Sequence, residues 1–97
     1  MDVVFEIKDK TGRKIHLSKE RWKHITTTHS MIANYSEEIK QALEKPIKIT
    51  LHEKGDLRNY YLYLKHRKYP EKYLRAIVKY LNEHGFIITA HFVSYIK

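Results

Sequence analysis

Two histidines on one predicted helix, His24 and His29, and two cations on one predicted strand, Arg75 and Lys79, are the residues best suited to chemistry in this chain. Imidazole exchanges protons near neutral pH. An arginine grips a phosphate through two parallel hydrogen bonds, and a lysine supplies a point charge. The sequence holds no His-Glu-x-x-His pair, no glycine-rich phosphate loop and no Gly-x-Ser-x-Gly elbow. It has no cysteine, which excludes disulfides and thiolate metal sites. Its eleven acids are scattered over turns and helix faces, whereas two-metal phosphodiester hydrolysis needs several that converge. What remains is metal-free, cofactor-free acid–base work by His, Lys, Arg, Tyr and Thr. RNA permits such work because its 2′-OH is an internal nucleophile: a base removes its proton, an acid protonates the leaving 5′-oxygen, and cations stabilise the crowded phosphate.

Each candidate also has a plainer reading. His29 falls on the Trp22–Ile25 side of its helix, where it could equally cap the C-terminus, and His24 falls on the opposite side, where a solvated surface residue is expected. Arg75 and Lys79 share a strand face with Tyr73, which is either a phosphate-binding face or the ordinary wet side of an antiparallel sheet. Tyr61 and Tyr63, followed by the basic run Arg67-Lys68, could stack on unpaired bases or simply pack a sheet. Thr89 and His91 share a face of the last strand, Thr89 as a donor to a phosphate oxygen or as a plain strand former.

The elements that must position these residues follow from periodicity. Val3 to Lys8 alternates, Asp9-Lys10-Thr11-Gly12 turns, and Arg13 to Leu17 returns, which predicts a hairpin. Ser18 is a predicted N-cap for a helix over about Lys19 to His29, with Leu17 and Trp22 at staple spacing. Ser36 is predicted to cap a second helix, Glu37 to Lys45, whose buried stripe is Ile39, Ala42 and Leu43, and which Pro46 stops. Strands are then predicted over Ile47 to Glu53, Arg58 to Lys65, Tyr73 to Leu81 and Phe86 to Ser94. Helices grouped before a meander predict an α+β fold: an N-terminal hairpin and two helices packed on one face of a four-stranded antiparallel sheet.

With 97 residues, the chain is expected to form a single domain over 1–97. An apolar content of 42% argues against disorder. Its start, Met-Asp-Val-Val-Phe-Glu, does not read as a signal peptide, and no segment is apolar enough to span a bilayer, so a soluble cytoplasmic protein with no membrane partner is expected. The formal net charge is +8, a strong field on so small a body, and it calls for a polyanion or an acidic protein as partner.

The motifs Leu17-Ser18-x-x-Arg21-Trp22-x-His24-Ile25 with His29 downstream, Glu38-x-x-x-x-Ala42-Leu43-x-x-Pro46, Tyr60-Tyr61, Tyr73-Leu74-Arg75-x-x-Val78-Lys79 and Phe86-Ile87-Ile88-Thr89-Ala90 together resemble the phage-type branch of the barnase–EndoU–colicin–RelE (BECR) nucleases. The resemblance spans roughly Leu17 to Val93. It implies a metal-independent endoribonuclease that leaves a 2′,3′-cyclic phosphate, of the kind found as toxins paired with an antitoxin or as phage-related effectors. Carried over by position, His24 and His29 would supply acid–base function, Arg75 and Lys79 would stabilise the phosphate, and Thr89 would assist. The second helix histidine of that family is commonly followed by Pro, whereas Ser30-Met31 follows here. The residues alone leave two other readings open: a non-catalytic RNA-binding domain, and an interaction domain for an acidic partner.

Overall fold

A computed structural model describes residues 2–96 of the chain. The alternating N-terminus forms β1 (Val3–Lys8) and β2 (Lys14–Ser18) as an antiparallel hairpin, and Gly12 in its turn takes a φ of +88°. The Ser18 hydroxyl accepts the Arg21 amide at 3.0 Å, capping α1 (Lys19–Thr28) as its sequence requires. A single 3-10 turn, Ser30–Ile32, leads to α2 (Ser36–Glu44). There Ser36 is the first helical residue rather than the cap, and Tyr35 occupies the cap position without a side-chain bond. The remaining strands are β3 (Lys48–Leu51), β4 (Leu57–Tyr63), β5 (Tyr73–Leu81) and β6 (His84–Val93).

The expected four-stranded antiparallel sheet is corrected to a six-stranded mixed sheet in the order β1-β2-β6-β5-β4-β3. The hairpin is not an appendage to the sheet. Its strand β2 runs parallel to β6, with Ile15 opposite Gly85 and His16 opposite Phe86. A parallel pair between strands so far apart in sequence leaves no local signature, which is why periodicity shows the hairpin but not its docking. Gly85 permits the join: a Cβ there would stand 2.6 Å from the Lys79 carbonyl oxygen and 3.0 Å from Ile15 Cδ1.

Both helices cover one face. Ile25 of α1, Ile32 of the 3-10 turn and the α2 stripe Ile39, Ala42 and Leu43 close over Leu17, Tyr60, Leu74, Ala76, Val78 and Ala90. The second face is less open than an uncovered antiparallel sheet, because Asn59, Tyr61 and Ile77 are buried on it. The edge strand β3 is shorter than its apolar alternation suggests, and Ile47 and Leu51 stay exposed.

Candidate active site

Cross-strand register builds the centre of the site. Arg75 on β5 faces Tyr61 of β4 on one side and His91 of β6 on the other. Ile77 pairs with Thr89 but Val78 with Ile87, so Ile88 is an extra residue in β6. That bulge sets which side chains of β6 accompany Arg75. Arg75 then donates from Nε at 3.1 Å and from Nη2 at 2.7 Å to Nε2 of His91. Since Nε2 accepts, the neutral ring carries its proton on Nδ1, and Nδ1 is buried without a partner.

His29 arrives by a different route. Three successive threonines end α1, with the Thr26 and Thr27 hydroxyls turned back onto the Trp22 and Lys23 carbonyls at 2.9 and 2.7 Å. His29 leaves the helix with φ −125° and ψ 73°, its amide closing on the Ile25 carbonyl at 2.7 Å. The pairing of β2 with β6 stops at Phe86, so no described strand flanks the rest of that edge, and α1 and the 3-10 turn lie against β6. The His29 ring consequently sits 5.3 Å from that of His91, centroid to centroid. Burial, then Arg75, then His29 all disfavour the imidazolium of His91, and its pKa falls to about 4. His91 is therefore neutral at physiological pH.

His29 and His91 line a cavity of about 430 Å³ with Met31, Arg67, Glu71 and Phe92. Arg67 is buried, its guanidinium 3.6 Å over the Phe92 ring, with Nη1 donating to the Glu71 carbonyl at 2.7 Å and Nε unpartnered. Among the described residues four buried side-chain atoms lack a partner: Asn59 Oδ1, Tyr61 Oη, Arg67 Nε and His91 Nδ1. Three of them, those of Asn59, Tyr61 and His91, share the second face of the sheet with Arg75.

The other residues singled out in the sequence are distributed as follows. Thr89 shares the Arg75 face, opposite Ile77. Lys79 is four residues along β5, roughly 13 Å away at the usual rise per residue, and is 3.8 Å from Asp56. His24 is exposed on α1 and lines no cavity with His29 or His91. Tyr63 and Tyr73 form a ring pair at 5.3 Å, whereas Tyr61 is fully buried and offers no face for stacking. Lys68 is exposed in the basic loop, two residues past the exposed His66. Residue types alone placed His91 in a binding role; only the register shows it bonded to Arg75. Glu71 of the cavity went unnoticed because a lone acid in a basic loop carries no pattern.

Asp9 was also missed. Its Oδ1 accepts the Thr11 amide and hydroxyl at 2.8 and 2.7 Å and the Arg13 amide at 3.1 Å, while Oδ2 accepts the Tyr60 hydroxyl at 3.1 Å and that of Tyr80. Burial alone raises its pKa, but the bonds from Tyr80, Thr11, Arg13 and Tyr60 outweigh that and lower it below the ordinary carboxylate value. Burial first, then the bond to Asp9, pushes Tyr80 up to about 12. This cluster pins the first hairpin to β4 and β5; it is structural.

A larger cavity, about 620 Å³, lies where the β1–β2 and β5–β6 turns meet, lined by Lys8, Arg13, Lys14 and His84 among others. It stands seven residues of β6 from His91, roughly 23 Å, and brings together no imidazole pair. Among the described residues no helix is long and apolar enough to cross a membrane.

The family model described as phage-Barnase-EndoU-ColicinE5/D-RelE like nuclease2 matches residues 3–96. No curated protein and no solved structure matches the chain. The match runs through every strand and both helices, and through His29, Arg75 and His91. The chain belongs to the phage-Barnase-EndoU-ColicinE5/D-RelE like nuclease2 family, whose members are nucleases and act on nucleic acids.

Proposed function

We propose that the chain is a single nuclease domain that cuts RNA without a metal, by attack of the 2′-OH on the adjoining phosphorus. The observation that carries this reading is that His29 and His91 share one cavity wall while Arg75, on the adjoining strand, is hydrogen-bonded to His91. His29, partly exposed, takes the 2′-OH proton as the new P–O2′ bond forms. The P–O5′ bond breaks, the 5′-oxygen takes a proton from water at the open mouth, and a 2′,3′-cyclic phosphate remains. Arg75 donates to the phosphoryl oxygens as charge builds on them. Neutral His91 orients the guanidinium through Nε2 and directs its Nδ1–H toward the substrate; Thr89 adds a hydroxyl on the same face. Lys79, Lys68 and the Tyr63–Tyr73 pair hold the flanking strand.

The positive charge of +8 supports a toxin held inactive by an acidic antitoxin in the cytoplasm. The test is incubation of total and transfer RNA with the protein in excess EDTA, followed by end-group analysis. Cyclic phosphate ends are expected. His29→Ala should slow cutting by at least about 100-fold and Arg75→Ala by about 100- to 1,000-fold, with folding intact by circular dichroism. Unchanged cleavage in both variants overturns the assignment.

A further inference from the structure

The large cavity between the β1–β2 and β5–β6 turns lies far from His29 and His91, yet the register of the sheet crowds positive charge into it. Lys8 on β1 stands directly across from Lys14 on β2, and Lys14 in turn stands beside His84 on β6. Arg13 completes the wall, its guanidinium held 4.2 Å over the Tyr80 ring. Like charges directly opposite one another destabilise a sheet. Among the described residues Lys8, Arg13 and Lys14 form no ion pair, neither with Glu83 at the rim nor with any other acid. Three uncompensated cations around about 620 Å³ of space are a cost to the fold that a bound anion would relieve.

The kind of anion follows from what lies between this cavity and Arg75. One face of the sheet joins them. From the turns inward it carries Lys14 and His84, then His16 and Phe86 with ring centroids 6.0 Å apart, then Lys79 and Thr89, and it ends on Arg75 and His91. Among the described residues its strands present one acid, Glu6, on the edge strand β1 and outside this track. An acidic peptide would match the cations but not the rings. Cations at both ends with rings between them suit a polymer that alternates phosphates with flat bases. We propose that the turn cavity is an exosite for phosphates of a single RNA strand whose reacting phosphate lies at Arg75, so that the protein selects long strands over short ones. Roughly 23 Å of β6 separates the two ends. Once one end is held, the second contact forms within the complex, and affinity rises without any new contact at Arg75. The proposal goes beyond the ribonuclease reading and rests on it for the place of the reacting phosphate.

Binding is read apart from cutting with 2′-O-methyl RNA, which lacks the nucleophile, by fluorescence anisotropy on a trinucleotide and on a twenty-nucleotide strand. Lys8→Ala with Lys14→Ala, both at exposed positions, should weaken the long strand at least tenfold and leave the trinucleotide within twofold. Lys19→Ala with Lys23→Ala removes the same charge from α1, on the helical side of the sheet, and should weaken the long strand less than threefold. In NMR titrations of the intact protein the Gly12 and His84 amides should shift with the long strand and stay still with the trinucleotide. Equal losses from the two lysine pairs would mean that only the overall charge attracts RNA and would overturn the exosite, as would a long strand indifferent to Lys8 and Lys14. A polyglutamate peptide that binds at Gly12 and His84 more tightly than the long strand assigns the cavity to an acidic protein and overturns it as well. Length selection by a protein that leaves unmethylated RNA uncut supports the exosite and overturns the nuclease; cutting without that selection does the reverse.

Discussion

His91 is a largely buried imidazole whose one accepting nitrogen already holds an arginine, and its protonation is coupled to folding. Burial contributes most to its lowered pKa and Arg75 next, so the two contributions separate by mutation. By NMR titration His91 should titrate near 4 in the native protein, and in Arg75→Gln it should move upward without reaching the ordinary 6.5. A full return to 6.5 would show that Arg75, and not burial, disfavours the imidazolium. The linkage sign follows: between pH 4 and 6.5 the unfolded chain binds a proton that the folded chain refuses, so the stability tied to His91 is complete above 6.5 and is lost as pH falls toward 4. Asp9 acts lower still, since its depressed pKa contributes stability that disappears only as pH drops below 3.8. At this scale the sequence was readable in kind but not in pairing. His29 and Arg75 stood out by type and position, and each meets His91, His29 ring to ring and Arg75 through a hydrogen bond. His91 was visible too, yet its bond to Arg75 depends on the extra residue at Ile88, and nothing in Phe86-Ile87-Ile88-Thr89 says which position bulges. Conversely, His24 shares a helix with His29 but not its cavity, because five residues turn it through well over one revolution.

Elements, rather than single side chains, decide whether β6 lies where His91 can meet His29. Two contacts fix it, and both are testable. Asp9→Ala removes the carboxylate to which the Tyr60 and Tyr80 hydroxyls both donate, leaving them only each other, and releases the hairpin turn. The cost should be about 3 kcal/mol, a fall in Tm of roughly 10–20 °C for a domain this small. Asp9→Asn keeps one acceptor and should lose clearly less. Gly85→Ala drives a Cβ against the Lys79 carbonyl and Ile15, backbone and core that cannot swing aside, so about 1–3 kcal/mol of stability should go with it. Urea unfolding of the three variants checks these values, and a neutral Gly85→Ala would show that β2 and β6 are not tightly joined. The helices, the Ser18 cap of α1 and β5 were legible because each is set by residues within a few positions: Ser18 bonds Arg21, and Leu74, Ala76, Val78 and Tyr80 alternate. The sheet was misjudged because its extra strands are joined by a long-range parallel pair and a turn carboxylate reaching 51 residues along the chain.

Across the whole molecule, the net charge of +8 is the property that composition gives most directly, and the family match shows what kind of polymer it meets. What composition leaves open is where that charge acts, because nineteen Lys and Arg are spread over both ends of the sheet. Lys65 and Lys68 stand in the loop that carries Arg67 into the site, whereas Lys8, Arg13 and Lys14 surround the larger cavity at the far end of β6. Each phosphate neutralised releases condensed counterions, so binding to a single strand should weaken with salt by a log–log slope of about −0.7 per contact. For a short oligonucleotide centred on Arg75, replacing Lys65 and Lys68 by Ala should make that slope shallower by about 1.4. The same double change at Lys8 and Lys14 should leave it alone, since roughly 23 Å of strand separates them from the site. A longer RNA that crosses the second face reaches both ends, and its slope should respond to either pair. Equal responses from the short oligonucleotide would place its phosphates at the turn cavity instead, and would detach the basic field of the molecule from the imidazoles that are to use it.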